Sequence, residues 1–349
     1  MNASSALPGL LLLSLLTLAP CVQGMQRGAM YEVRDAAGAQ QLLEVLERTV
    51  YAKDGSGERA VYILYSTGCG WSSRLFADTR GLGPDVELRW IPVGTRAAGG
   101  VVTERDSDAV RAAFGSRAVE MGPDPEFSRR ALTLNIGAMR SLQSQLAALG
   151  HGSGRNFHFP TLVWATEEGI RVSSGAPEGL DLLLESALAG AGNGEVGLDI
   201  AAEAFETQPS RKLPRFSNRS EAGAGLRILP HEQAPVVHEL ESGYSLPVTG
   251  VVDERWLELD LGGGRSVYLE DPDSAALALL EYSVTRARGT LTAEDGPLRI
   301  LSHPDPRAPE LLTLERGYQI PRTGEVRMGE RRWVEVRAYG DGTPGYVAL

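Results

Sequence analysis

Apolar and polar positions change rhythm several times along this chain, and each change predicts an element. Over residues 36–48, AAGAQQLLEVLER, Leu42, Leu43, Val45 and Leu46 recur at helical spacing with polar residues opposite, which predicts an amphipathic helix. DGSGER at 54–59 has loop composition, and VYILYS at 61–66 is β-branched and aromatic, the pattern of a buried strand. WSSRLFADTRGLG, following Cys69, predicts a helix ending near Gly81, and VELRWIPVG at 86–94 a second strand. Residues 104–149 read as a long helical region interrupted near GPDP at 122–125. A strand at 161–166 opens directly after Pro160, an EEG turn leads into another at 170–173, and GLDLLLESALAG at 179–190 predicts a closing helix. The order β-α-β-α-β-β-α predicts an α/β domain over about 58–190, with 25–57 as an N-terminal helix and lead-in.

Residues 191–224 are rich in Gly, Ala, Glu, Ser and Arg without a sustained period, and predict a linker. Beyond them the chain repeats itself. LRILP (226–230) returns as LRILS (298–302), and GYSLPVTG (243–250) returns as GYQIPRTG (317–324). RWLELDL (255–261) returns as RWVEVRA (332–338), and VYLE (267–270) as GYVAL (345–349). Two copies of short alternating strands with Pro and Gly turns predict two small β-barrels, 225–271 and 296–349, joined by a helical connector at 272–295.

A length of 349 residues is that of two or three domains. The net charge of −11 excludes nucleic acid as a partner, since no basic stripe is left to neutralise phosphates. Residues 1–24 form an apolar run of signal-peptide length, with Val22-Gln23-Gly24 offering a cleavage point before Met25, although the n-region has no Lys or Arg. A lipoprotein attachment at Cys21 is disfavoured by the adjoining Pro20. No later segment has the ~18 apolar residues of a spanning helix, so the expectation is a periplasmic or secreted chain with no transmembrane segment after the signal peptide. Cys69 is then the single thiol of the mature chain, and no intramolecular disulfide can form.

The repeat, with its LR-[IV]-L strand, Gly-Tyr turn, W-[LV]-x-[LV] strand and terminal Gly-Tyr-Val, resembles the bacterial SH3-like module. The first copy departs from it at Ser266-Val267-Tyr268, where the usual Gly is missing. The resemblance implies an exported binding module for cell-wall peptide or partner proteins. Tyr244, Trp256, Tyr268, Tyr318, Trp333 and Tyr346 would then line a groove or fill the cores.

Cys69 sits at a strand-to-helix junction, where unpaired helix N–H groups favour a thiolate. Cys69-Gly70-Trp71-Ser72 resembles a thioredoxin-fold C-x-x-C motif with Ser in place of the second Cys, and Phe159-Pro160-Thr161 resembles the proline-opened strand that faces it. Together with the element order, these residues resemble the periplasmic disulfide isomerases of the DsbC/DsbG type. The fold class implied is an α/β thioredoxin-like domain with a helical insertion, followed by two small all-β SH3-like barrels. By that resemblance Cys69 would be the nucleophile and Ser72 the former resolving position, while Gly70, Trp71, Phe159, Pro160 and Thr161 would contact substrate.

Without a second thiol, a mixed disulfide cannot be released by internal attack. One functional reading is therefore an exported protein acting on client proteins or peptides through one thiol, by disulfide isomerisation or by reaction with a client's sulfenic acid. An alternative is a noncatalytic envelope adaptor with a degenerate site. A second alternative is an envelope cysteine hydrolase, in which His151 or His158 would partner Cys69. No cofactor or metal is expected: His151, His158, His231, His238 and His303 are scattered, and GHGSGR at 150–155 lacks the Lys-Ser/Thr ending of a phosphate loop.

Overall fold

The computed structural model describes residues 29–81, 85–94, 98–115, 124–151, 158–177, 180, 184–190, 195–339 and 343–349. The expected signal peptide with Cys21 lies outside the described residues, as do most of GHGSGR and positions 179 and 181–183 of the expected closing helix.

The first sheet contains β1 (Ala29–Val33), β2 (Ala52–Asp54), β3 (Arg59–Tyr65), β4 (Val86–Pro92), β5 (Thr161–Thr166) and β6 (Gly169–Ser174). Its order is β1-β6-β5-β3-β4-β2. Only β3 and β4 run parallel; the other neighbours are antiparallel. β3 is central and covered on both faces, which is why it reads as a continuous apolar run. Its alternate residues part cleanly. Val61, Ile63 and Tyr65 join Leu75, Phe76, Leu88, Trp90 and Val110 on one side. Tyr62 and Leu64 join Leu42, Leu46, Ile91, Leu142 and Val163 on the other.

Five helices cover this sheet: α1 (Ala36–Glu47), α2 (Gly70–Asp78), α3 (Gly99–Glu104), α4 (Ser107–Phe114) and α5 (Pro125–Ala148). α1 starts where Asp35 accepts a hydrogen bond from the Gly38 amide (2.7 Å). α5 starts where Asp124 accepts from Glu126 and Phe127 (both 3.0 Å), with Pro125 in the first turn, where its missing N–H costs nothing.

The second sheet is built from β7 (Gln208–Pro209), β8 (Arg215–Ser217), β9 (Ala224–Arg227), β10 (Val236–Leu240), β11 (Ser245–Val252), β12 (Trp256–Asp260) and β13 (Ser266–Glu270). The third is built from β14 (Thr285–Thr292), β15 (Leu298–Leu301), β16 (Glu310–Leu314), β17 (Gln319–Met328), β18 (Arg331–Arg337) and β19 (Pro344–Ala348). Their orders, β10-β9-β13-β12-β11-β7 and β16-β15-β19-β18-β17-β14, are the same path walked by the two sequence repeats. Residues from the spans read as linker and connector add the last strands of each: β7 and β8 pair with β11, and β14 pairs with β17. Helices α6 (Glu195–Ala202) and α7 (Pro272–Ala278) lie in the same two spans.

These observations correct the expected fold class of an α/β thioredoxin-like domain followed by two small barrels. Among the described residues the chain is mainly β, with nineteen strands in three sheets against seven α-helices. Among the described residues neither hydrogen-bonded strand order returns to its first strand, with β8 pairing β11 off the path of the second sheet. Nor does the second sheet stand apart. Ala131, Leu132 and Leu134 of α5 and Ala201 of α6 share one hydrophobic cluster with Leu226, Ile228, Val237, Val251 and Leu257. The physical reason lies on α5, whose apolar positions cover too wide an arc to be buried by the first sheet alone.

Candidate functional site

β3 and β5 are antiparallel neighbours, with Leu64 opposite Thr161. The residues that leave β3 and those that enter β5 therefore meet at one sheet end, although some ninety positions separate them. Cys69 is the N-cap residue of α2, its amide donating to Ser66 O at 3.0 Å. Its thiol donates to the Phe159 carbonyl at 3.4 Å, and the Phe159–Pro160 peptide is cis. Thr161 is fully buried and its hydroxyl donates to His158 O at 2.7 Å, which fixes the turn into β5.

The structure thus gathers Cys69, Phe159, Pro160 and Thr161. It places Gly70 and Trp71 at the surface beside them, with the Arg74 guanidinium 5.6 Å from the Trp71 ring centre. Ser72 is fully buried and its hydroxyl has no hydrogen-bond partner. A hydrogen bond from Ser72 to the Cys69 sulfur is therefore absent. Cys69 itself is only 3% exposed. We expect the native chain to alkylate at Cys69 at least about a hundredfold more slowly than the urea-unfolded chain, because access requires local opening. Equal rates in the two states would show that the thiol is open.

His158 is exposed, and its amide donates to Ser174 Oγ at 2.9 Å. His151, three residues past the end of α5, lies against the Tyr31 ring, 5.9 Å between ring centres. Among the described residues no group of three His, Cys, Asp or Glu is placed to hold a metal ion, and no helix is long and apolar enough to cross a membrane.

A second candidate lies in the repeats, whose six aromatic residues sort into two classes. Trp256, Tyr268, Trp333 and Tyr346 are buried. Tyr244 and Tyr318 are 63% and 66% exposed. They occupy the same turn in each copy. Gly243 and Gly317 precede them with φ of +80° and +84°, a conformation that favours glycine. Tyr244 N donates to Glu241 O (3.2 Å) and Tyr318 N to Glu315 O (3.0 Å). Tyr244 O accepts from Asn218 N (3.0 Å) and Tyr318 O from Ala293 N (3.1 Å). Each tyrosine is thus held by its backbone while its ring stands in solvent. Nothing in the alternation of the sequence separates these two rings from the other four, since only the turn geometry exposes them.

No family model matches the chain, and no curated protein matches it. Solved structures similar to part of it include the crystal structure of Ly7917, at 17% identity and a TM-score of 0.18, covering 36% of this chain and 54% of that one. A second structure of Ly7917, with the hydrolysing product of MDP, gives 18% identity and a TM-score of 0.18 over 38% of this chain and 58% of that one. The antimicrobial peptidase lysostaphin from Staphylococcus simulans gives 9% identity and a TM-score of 0.18, over 42% of this chain and 87% of that one. The chain spans little more than half the length of the Ly7917 structures. That no family model matches corrects the family expected from the sequence: the chain is assigned neither to the DsbC/DsbG-type isomerases nor to the SH3-like family.

Proposed function

We propose that this chain is an exported binding protein of the cell envelope that holds peptide, cell-wall peptide among its ligands, on its two repeated β-modules. The observation that carries the reading is the exposed tyrosine repeated in the same turn of both modules, Tyr244 and Tyr318. A rigidly mounted tyrosine offers a flat apolar face and a hydroxyl, and loses little side-chain freedom when it stacks on a peptide. Two such platforms on one chain raise the effective concentration of the second contact once the first is made. The chain's acidity is compatible with peptide ligands and opposes polyanionic ones.

Cosedimentation of the full chain with purified cell wall tests this reading. Tyr244→Ala or Tyr318→Ala should each weaken binding about tenfold, and the double variant by clearly more than either, with circular dichroism unchanged. Full binding by the double variant would sink the proposal.

A second reading, an envelope cysteine hydrolase, draws on one contact. The Phe159 carbonyl that receives the Cys69 thiol belongs to the residue directly after His158, so thiol and imidazole share one sheet end. Turnover of wall peptide that disappears in Cys69→Ser would favour it. Turnover that survives the substitution, or none in the native chain, would remove it.

A further inference from the structure

α1 and α5 lie on one face of the first sheet, where Leu42 and Leu46 of the first helix meet Leu142 and Leu146 of the second. Helical spacing sets a second stripe on each, beside that shared core. On α1 the stripe is Gln41, Glu44, Val45 and Arg48, and on α5 it includes Ala138, Ser141 and Gln145. β10 supplies a third side. Gly137 on α5 has no Cβ, and one placed there would lie 2.6 Å from the Val237 side chain, so the strand reaches the helix only because that position is bare. The two stripes, with Val236 and Val237, enclose a cavity of about 300 Å³, at the small end of ligand pockets.

The polar side chains around this cavity keep unused bonding capacity. Gln145 Nε2 donates to Ser141 Oγ (3.4 Å), while Gln145 Oε1 is buried and accepts no hydrogen bond. A buried acceptor without a donor is costly, so that atom calls for a donor from whatever fills the cavity. Glu44 and Arg48 stand at i and i+4, in the order that favours an ion pair on a helix, yet they do not pair. Glu44 accepts from Gln40 instead (3.0 Å), and among the described residues Arg48 forms no ion pair. One anion and one cation, a helical turn apart, thus border the same space. Val236 adds an apolar side chain that is 48% exposed.

We propose that this cavity binds a short peptide of dipeptide size with both ends free. Its carboxylate meets the Arg48 guanidinium fork, and its ammonium meets Glu44. Its peptide group carries both a donor and an acceptor, the complement of the Gln145 amide in either orientation of that side chain. Small aliphatic side chains of the ligand cover Val45, Ala138 and Val236. A phosphate is opposed by Glu44, and no aromatic ring lines the cavity to stack a base. Neither Tyr244 nor Tyr318 lines it either, so this site and the tyrosine platforms stand or fall separately.

The test titrates the full chain calorimetrically at neutral pH with alanyl-alanine, its C-terminal amide and its N-acetyl form. The free dipeptide should bind at least about fivefold more tightly than either blocked form. Arg48→Gln should abolish the preference for a free carboxylate and keep that for a free ammonium, and Glu44→Gln should do the reverse. Both residues are exposed on α1, so these variants should fold as the native chain does. Gln145→Met keeps the length, removes the amide, and should weaken all three ligands about equally. No binding of alanyl-alanine by the native chain, equal affinity for free and blocked forms, or a carboxylate preference that survives Arg48→Gln would overturn the proposal.

Discussion

Replacing Arg89 by methionine should cost about 3–5 kcal/mol of unfolding free energy at neutral pH, the usual penalty for leaving one partner of a buried ion pair alone. Arg89 lies on β4, 4% exposed, beneath α1. Its Nη1 donates to Glu47 Oε1 (2.8 Å) and to the Tyr62 hydroxyl (2.6 Å), and its Nε donates to Glu87 Oε1 (2.7 Å). The guanidinium carbon sits 5.2 Å from the Tyr51 ring centre and 5.0 Å from that of Tyr62. Methionine conserves much of the volume, so the loss is chiefly electrostatic. Arg89→Met combined with Glu47→Gln should recover a large part of it, because the stranded carboxylate goes with its partner.

The pH dependence has a definite sign. Burial raises the Glu47 carboxyl above its usual range, and the charge and hydrogen bond of Arg89 oppose that rise without cancelling it. A carboxyl raised in the folded state favours the neutral form there, so its contribution is greatest at low pH and is lost as pH climbs through the folded value. Without Arg89 the rise is larger, and the loss extends toward neutrality. The deficit of Arg89→Met should therefore be smaller at pH ~5 than at pH ~7.5 in urea unfolding. Equal deficits at the two values, or a cost below about 1 kcal/mol, would show that the pair is screened.

How far the sequence discloses such features depends on whether they leave a periodic trace. The run 61–66 is legible as a strand because both faces of β3 are buried, and Thr161–Thr166 because Pro160 and the EEG turn bound it. The two repeats are legible because their strands carry matched apolar positions into matched registers. Strands β7, β8 and β14 leave no such trace. They are edge strands whose residues are mostly exposed, so polar composition hides them within stretches that read as linker or connector. β1 is a similar case, an edge strand half open to solvent that the lead-in composition does not betray.

The candidate sites divide in the same way. Cys69 stands out as the only thiol described, but its 3% exposure and its contact with Phe159 depend on strand pairing across ninety residues. The motif resemblance names those residues together while assigning the wrong family and a mainly β chain to an α/β class. Ser72 shows the limit of such transfer, because its hydroxyl is fully buried and makes no hydrogen bond to the sulfur. Exposure of Tyr244 and Tyr318, and the meeting of Arg140 with His238, are tertiary facts with no sequence period behind them.

Asn135→Leu should destabilise the chain by about 3 kcal/mol or more, although leucine is the better helix former and differs little in volume. Asn135 is fully buried in the middle of α5. Its Oδ1 accepts from the Val50 amide (2.8 Å), and its Nδ2 donates to the carbonyls of Val50 (2.8 Å) and Pro92 (3.1 Å). β2 and β4 pair with Ala52 opposite Trp90, so Val50 and Pro92 stand where the next rung would form. The side-chain amide completes that rung in place of backbone. Leucine leaves three buried backbone groups unpaired, each costing about 1–3 kcal/mol. Asn135→Asp is the discriminating control. It keeps an acceptor for the Val50 amide but, when ionised, turns its second oxygen toward two carbonyls. Burial and that repulsion would raise its carboxyl, so this variant should gain stability as pH falls, whereas Asn135→Leu should not. Hydrogen exchange at Val50 should accelerate in the Leu variant well before global unfolding; an unchanged rate would mean that water or backbone takes over the missing rung.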